Sequence, residues 1–120
     1  VTALLVALSG ATGAGLRYLF GGALQRRAAP DLPVGTAAVN LSGAFALGVV
    51  VGSGLTGNPL VALSGLLAGF TTYSTWMVET VALLAEGSEG RWRAGIDLFG
   101  LATIGLAVAW IGLEVGRMLA

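Results

Sequence analysis

The stretch Gly65-Leu66-Leu67-Ala68-Gly69-Phe70-Thr71-Thr72-Tyr73-Ser74-Thr75-Trp76 decides how this chain is read. It lies inside a hydrophobic segment. Residues 70–76 nevertheless hold four hydroxyl side chains, Thr71, Thr72, Ser74 and Thr75, and three aromatic ones, Phe70, Tyr73 and Trp76. Small and β-branched residues in its middle are poor helix formers. A polar, breakable patch at membrane depth is tolerated only where it is buried in protein or lines a cavity. This stretch is therefore the candidate site, and the third of the hydrophobic segments is expected to break there.

Composition gives the surroundings. The 120 residues are 56% hydrophobic and 10% charged, with a mean hydropathy of +0.89. A soluble domain carries roughly 25% charged residues, so the chain reads as an integral membrane protein. Six arginines balance six acids and there is no Lys, so the basic footprint of a nucleic-acid binder is absent. With no Cys and no His, thiolate nucleophiles, Ser-His-Asp triads and the usual zinc sets are excluded. No nucleophile–base pair is visible, and the chain is not expected to be an enzyme. The twenty glycines point to close helix–helix contact. The first segment lacks a basic leader and exceeds the roughly 7–15 residues of a signal core, so it is expected to stay in the mature chain.

Four segments are long enough to cross a bilayer, which takes about 20 apolar residues. They are residues 3–24, 34–52, 60–85 and 94–119, one four-helix transmembrane domain. Pro30, Asp31 and Pro33 separate the first two, and residues 53–59 form a short uncharged loop. Glu86-Gly87-Ser88-Glu89-Gly90-Arg91-Trp92-Arg93 is read as the loop after the third. Four spans place both termini on one side. Arg26, Arg27, Arg91 and Arg93 lie on the opposite side, against Arg117 on the terminal side. The positive-inside rule then favours cytoplasmic first and third loops, and Trp92 suits an interfacial anchor. Gly65-xxx-Gly69, Gly48-xxx-Gly52, Gly112-xxx-Gly116 and Ala11-xxx-Gly15 are close-packing patterns. Four short helices can hardly enclose a pathway alone, so an oligomer is expected.

Several polar residues sit at depth. Thr36, Asn40 and Gly43 share one helical face. The Asn40 amide serves either an interhelical hydrogen bond or an anion. Arg17 either snorkels to the interface or draws anions by its field. Glu79 either binds protons in a coupled exporter or, the favoured role, accepts a hydrogen bond from a neighbouring helix; Thr72, Trp76 and Glu79 are expected on one face. Thr103 is expected to bond back to its own helix, and Asp97 and Glu114 to be interfacial.

Three motifs fall in order on the first three spans: Gly13-Ala14-Gly15-Leu16-Arg17-Tyr18, then Gly35-Thr36-Ala37-Ala38-Val39-Asn40-Leu41-Ser42-Gly43-Ala44-Phe45, then Gly69-Phe70-Thr71-Thr72-Tyr73-Ser74-Thr75-Trp76-Met77-Val78-Glu79. Together they resemble the Fluc (CrcB-type) fluoride channel family over nearly the whole chain. The resemblance implies an antiparallel dimer of four-helix subunits in the cell (plasma) membrane, with two fluoride pores at the interface and a structural sodium ion at the dimer centre. By position it implies that Asn40 donates its amide to fluoride, that Ser74 and Thr75 form a polar track, and that Thr36, Thr103 and Arg17 belong to the vestibule. The backbone carbonyls of Ala68 and Thr71 would hold the sodium.

Physical chemistry suits this reading. Amide and hydroxyl donors can replace fluoride's water, and aromatic ring edges carry positive potential. A formal cation in the pore would hold the ion too tightly for conduction. Carbonyls freed at a helix break suit a hard cation. Three departures stand out: Tyr73 and Trp76 occupy positions where the family has phenylalanine, and Ala68 one where it has glycine. The arginine bias raises the alternative of a heterodimer with a related, oppositely biased subunit, this chain being a half-active or non-conducting partner. A small-multidrug-type proton-coupled exporter is the other alternative; it wants an acid in the first span, where this chain has Arg17.

Overall fold

The computed structural model describes residues 1–30 and 32–120. Asp31, one of the three residues expected to stop the first helix, lies outside them. Helix α1 spans Thr2–Arg27, α2 Val34–Gly52, α3 Gly57–Phe70, α4 Ser74–Leu84 and α5 Gly87–Gly95. From α5 the chain runs through a π-helical turn, Ile96–Gly100, into α6, Leu101–Leu119. Among the described residues the architecture is all-helical.

Among the described residues three helices are long and apolar enough to cross a membrane: Thr2–Arg27, Val34–Gly52 and the 33-residue run Gly87–Leu119. Helices α3 and α4 have 14 and 11 residues. At about 1.5 Å per residue they reach about 21 and 17 Å, each short of the roughly 30 Å hydrocarbon core.

The expected loop 86–93 is a correction. Gly87, at φ +85°, turns the chain tightly after α4, and α5 starts on the same residue. Its Glu89 lies in the first turn and Arg93 in the last, charges of the sign that each helix end favours. Polar composition had suggested a loop, but the charges are placed as a helix needs them.

The interior is built from small residues. Gly13, Gly35, Gly43, Gly48, Gly65, Gly90, Gly112 and Gly116 are buried, whereas Leu106, Phe99 and Trp110 are largely exposed. This is the distribution of a chain whose large side chains face lipid and whose helices meet backbone to backbone. Two seams dominate, α2 on α6 and α1 on α3. In the first, a Cβ added at Gly48 would lie 2.2 Å from the Ala109 carbonyl oxygen, and one at Gly112 2.2 Å from that of Phe45. In the second, a Cβ at Gly69 would lie 2.1 Å from the Gly10 carbonyl oxygen. Ala11-xxx-Gly15 belongs to neither seam: nothing lies within 4 Å of a Cβ at Gly15. The small face of α1 is instead Gly10 and Gly13, one register away.

Candidate functional site

Helix gives way at Thr71, whose φ and ψ of −77° and 161° are extended, and resumes at Ser74. The Thr71 amide still closes the last turn on the Leu67 carbonyl, at 3.0 Å. The next amide does not. Thr72 N–H donates to Asn40 Oδ1 at 2.8 Å, and Asn40 Nδ2 donates to the Thr72 carbonyl at 2.9 Å. One side chain on α2 thus supplies both backbone partners that a helix would have given Thr72. Gly43, one turn on, makes room: a Cβ there would sit 2.3 Å from Thr71 Cγ2. Arg17 reaches across from α1, its Nη1 donating to the Thr71 carbonyl at 3.0 Å. It neither snorkels nor points into open space.

Thr72 also starts the next helix. Its hydroxyl accepts the Thr75 amide at 3.3 Å and donates to Thr75 Oγ1 at 3.0 Å. Standing one residue before the N-cap position Tyr73, this hydroxyl satisfies a first-turn amide of α4 as a capping side chain does. Ser74 Oγ lies 3.5 Å from the same hydroxyl, and both Ser74 and Thr75 are exposed.

Two grooves flank the break. An open, mainly apolar one of about 650 Å³ is lined by Asn40, Ala68, Thr71, Thr72, Tyr73 and Trp76, together with residues of α6. A second, of about 380 Å³, is lined by Arg17, Gln25, Thr36, Thr72, Thr75 and Glu79. Asn40, Tyr73 and Trp76 are therefore brought together on one side of Thr72. Arg17, Thr36 and Thr75 are brought together on the other. Thr103 joins neither: it is exposed and its hydroxyl donates to the Phe99 carbonyl of its own helix at 2.7 Å.

Glu79 accepts the Thr36 hydroxyl at 2.7 Å, the role of an acceptor for a neighbouring helix, while its other carboxylate oxygen is buried without a partner among the described residues. Trp76 does not share its face. The stripe on the second groove is Thr72, Thr75 and Glu79, and the Trp76 ring turns to the first groove. There it meets Tyr73 edge-on, with centroids 6.3 Å apart and planes at 90°.

Asp97 is the residue that sequence reasoning missed. Expected at the interface, it accepts Trp76 Nε1–H at 2.9 Å and has the Thr80 hydroxyl 2.8 Å from the same oxygen. Its position near the end of a span gave no signal. The indole opposite it, 21 residues away, gave none either until both were placed in space.

The donor set at the break has the chemistry a sodium ion takes. Because the Thr72 amide goes to Asn40, the Ala68 carbonyl loses its helical partner, and Ala68 is exposed on the open groove. The Thr71 carbonyl accepts one bond from Arg17 and keeps its second lone pair. Two carbonyls from one chain are part of a shell, and a second copy would have to supply the rest.

The profile of the family described as CrcB-like protein, Camphor Resistance (CrcB), matches residues 4–113. The chain is 38% identical to a fluoride-specific ion channel FluC of Solibacter usitatus, over 95% of this chain and 97% of that one. It is 42% identical to a fluoride-specific ion channel FluC 1 of Rubrobacter xylanophilus, over 95% and 91%. It is 39% identical to a fluoride-specific ion channel FluC 2 of Mycolicibacterium paratuberculosis, over 94% and 92%. With its family profile matched almost end to end and relatives of this identity along its whole length, the chain belongs to the CrcB-like family.

Proposed function

We propose that this chain is a subunit of a fluoride-selective, passive ion channel of the cell membrane, and not an enzyme. One juxtaposition carries the reading. The exposed N-terminal end of α4, carrying the Ser74 and Thr75 hydroxyls, starts at Thr72, and the Asn40 amide holds the backbone of that same residue. A helix N-terminus favours an anion through its free amides and its dipole. The Asn40 amide has two donors, and the Thr72 carbonyl uses one. On the Asn40 side no formal cation among the described residues faces the ion, because the Arg17 guanidinium is turned to the Thr71 carbonyl and lines the other groove together with Thr75. Binding firm enough to replace water, yet weak enough to release, is what conduction requires.

In this reading α3 and α4 form one span broken at mid-membrane, so the subunit has four spans. The open apolar groove is where a second, antiparallel copy packs and closes two pores. Asn40, Tyr73, Trp76, Ser74 and Thr75 line the path, and Thr36, Arg17 and Thr103 serve its vestibule. Thr103, exposed on α6, faces the second copy. The Ala68 and Thr71 carbonyls of both copies would hold a structural sodium ion, which would supply positive charge at the dimer centre.

A second reading keeps the path but changes the partner. The excess of Arg26, Arg27, Arg91 and Arg93 over Arg117 biases insertion one way, and numbered FluC 1 and FluC 2 relatives exist. A heterodimer with an oppositely biased subunit fits both facts. The test is reconstitution of the purified chain in liposomes with a fluoride electrode. Passive fluoride efflux that rejects chloride is expected. Silence that ends on adding a related subunit would select the heterodimer. Proton-coupled movement of an organic cation would overturn the channel reading.

A further inference from the structure

Tryptophan at position 76 carries one polar atom, the indole Nε1–H, which can only donate. That donor is already committed, to Asp97 Oδ2 at 2.9 Å. The same oxygen lies 2.8 Å from the hydroxyl of Thr80, which is 5% exposed and one turn along α4 from Trp76. Asp97 does not line the open groove, whereas Trp76 and Tyr73 do. The carboxylate thus holds the ring from outside the groove.

Asp97 belongs to the π-helical turn Ile96–Gly100. Such a turn bonds to the fifth residue and interrupts the 3.6-residue α period, re-aiming the side chains it carries. Here the α5–α6 run stays helical while Asp97 is delivered to α4. A charge-assisted hydrogen bond is short and about twice as strong as a neutral one, so it fixes a ring well. The ring it fixes stands perpendicular to Tyr73, which is 71% exposed.

We propose that Asp97 is a positioning residue of the ion path: it pins the Trp76 ring and withholds the indole N–H from the groove. Trp76 then offers the ion only its carbon edge, and Tyr73 is the aromatic residue with a hydroxyl to donate. The inference rests on the channel reading for its meaning in conduction, and on the Trp76–Asp97 geometry alone for the placement of the ring.

The experiment separates the two. In a chain carrying Trp92→Phe and Trp110→Phe, Trp76 is the single tryptophan and is excited selectively over the tyrosines. Asp97→Ala is expected to red-shift its emission and raise its access to an aqueous quencher. Asp97→Asn, which keeps an acceptor oxygen, is expected to hold the emission near that of the parent and to guard against an Ala variant that misfolds. In liposomes, fluoride efflux is expected to fall roughly tenfold to a hundredfold in Asp97→Ala, the factor carried by one hydrogen bond to a charged group, and by less in Asp97→Asn. Unchanged emission and quenching in Asp97→Ala would overturn the pinning. Altered emission with unchanged efflux would overturn its role in conduction. A parent chain without efflux would count against the channel reading, while the fluorescence would still decide where the ring is held.

Discussion

Two helices of this chain are irregular, and they are irregular in opposite ways. Between α3 and α4 the ladder stops: residues 71–73 belong to neither helix, and Thr71 is extended. Between α5 and α6 the π turn loosens the ladder without ending it. The first interruption releases backbone groups, and other helices must satisfy them: Asn40 bonds both groups of Thr72 and Arg17 bonds the Thr71 carbonyl. The second needs no such help and instead sends out a side chain, Asp97, that supports its neighbour. An opened backbone offers amides, carbonyls and hydroxyls to a ligand, at the cost of depending on three helices at once. A π turn offers only a re-aimed side chain, and depends on itself.

The contrast breaks most sharply at Asn40. Asn40→Asp removes the donor to the Thr72 carbonyl and sets an anion beside the path. Two like charges about 4 Å apart repel by about 4 kcal/mol at an effective dielectric of 20, so fluoride efflux should fall by nearly a thousandfold. Normal efflux in that variant would place the path elsewhere. Arg17→Ala is next. It leaves the Thr71 carbonyl without its guanidinium partner, and a hydrogen bond to a charged group is worth about 1.5–3 kcal/mol. Thermal unfolding in detergent should register that loss, and a variant as stable as the parent would mean that the break holds itself open.

Smaller changes sharpen the same difference. Gly43→Ala presses a methyl group on Thr71 Cγ2, and overpacking of this kind costs about 1–3 kcal/mol. The matching change in the π turn, Gly100→Ala, meets nothing closer than Ile96 Cγ2 at 3.8 Å. It should be neutral, or stabilising by up to about 1 kcal/mol through helix propensity. Equal destabilisation by the two substitutions, measured side by side in one detergent, would erase the distinction between an opened backbone and a loosened one.

Sequence reading reached the break because hydroxyl and β-branched residues crowded where a helix should continue, and α2 because Pro33 and Gly52 bracket one apolar run. It reached Glu79 as an acceptor because a carboxylate at depth needs a donor. It lost α5 because polarity was taken for a loop, although Glu89 and Arg93 suit the two ends of a helix. It set Trp76 and Glu79 on one face because they lie three apart in α4, although each borders a different groove. It could not find Asp97, whose meaning lies wholly in its contact with an indole on another helix. Local chemistry is written along the chain, but pairings between helices depend on rotations that no single segment specifies.

The glycine seams have a consequence in time. Helix α1 can meet α3 once residue 70 has been made, before any of α4, α5 and α6 exists. Helix α2 ends at Gly52 and must wait for α6, residues 101–119. Chains are made at about 5–20 residues per second, so the glycine face of α2 stands bare in the membrane for seconds. The order of closure is thereby imposed by biosynthesis: the Arg17 and Gly10 seam first, the Gly48 and Gly112 seam last. A ribosome stalled before residue 101 would leave half a bundle with its polar break formed and one wall missing.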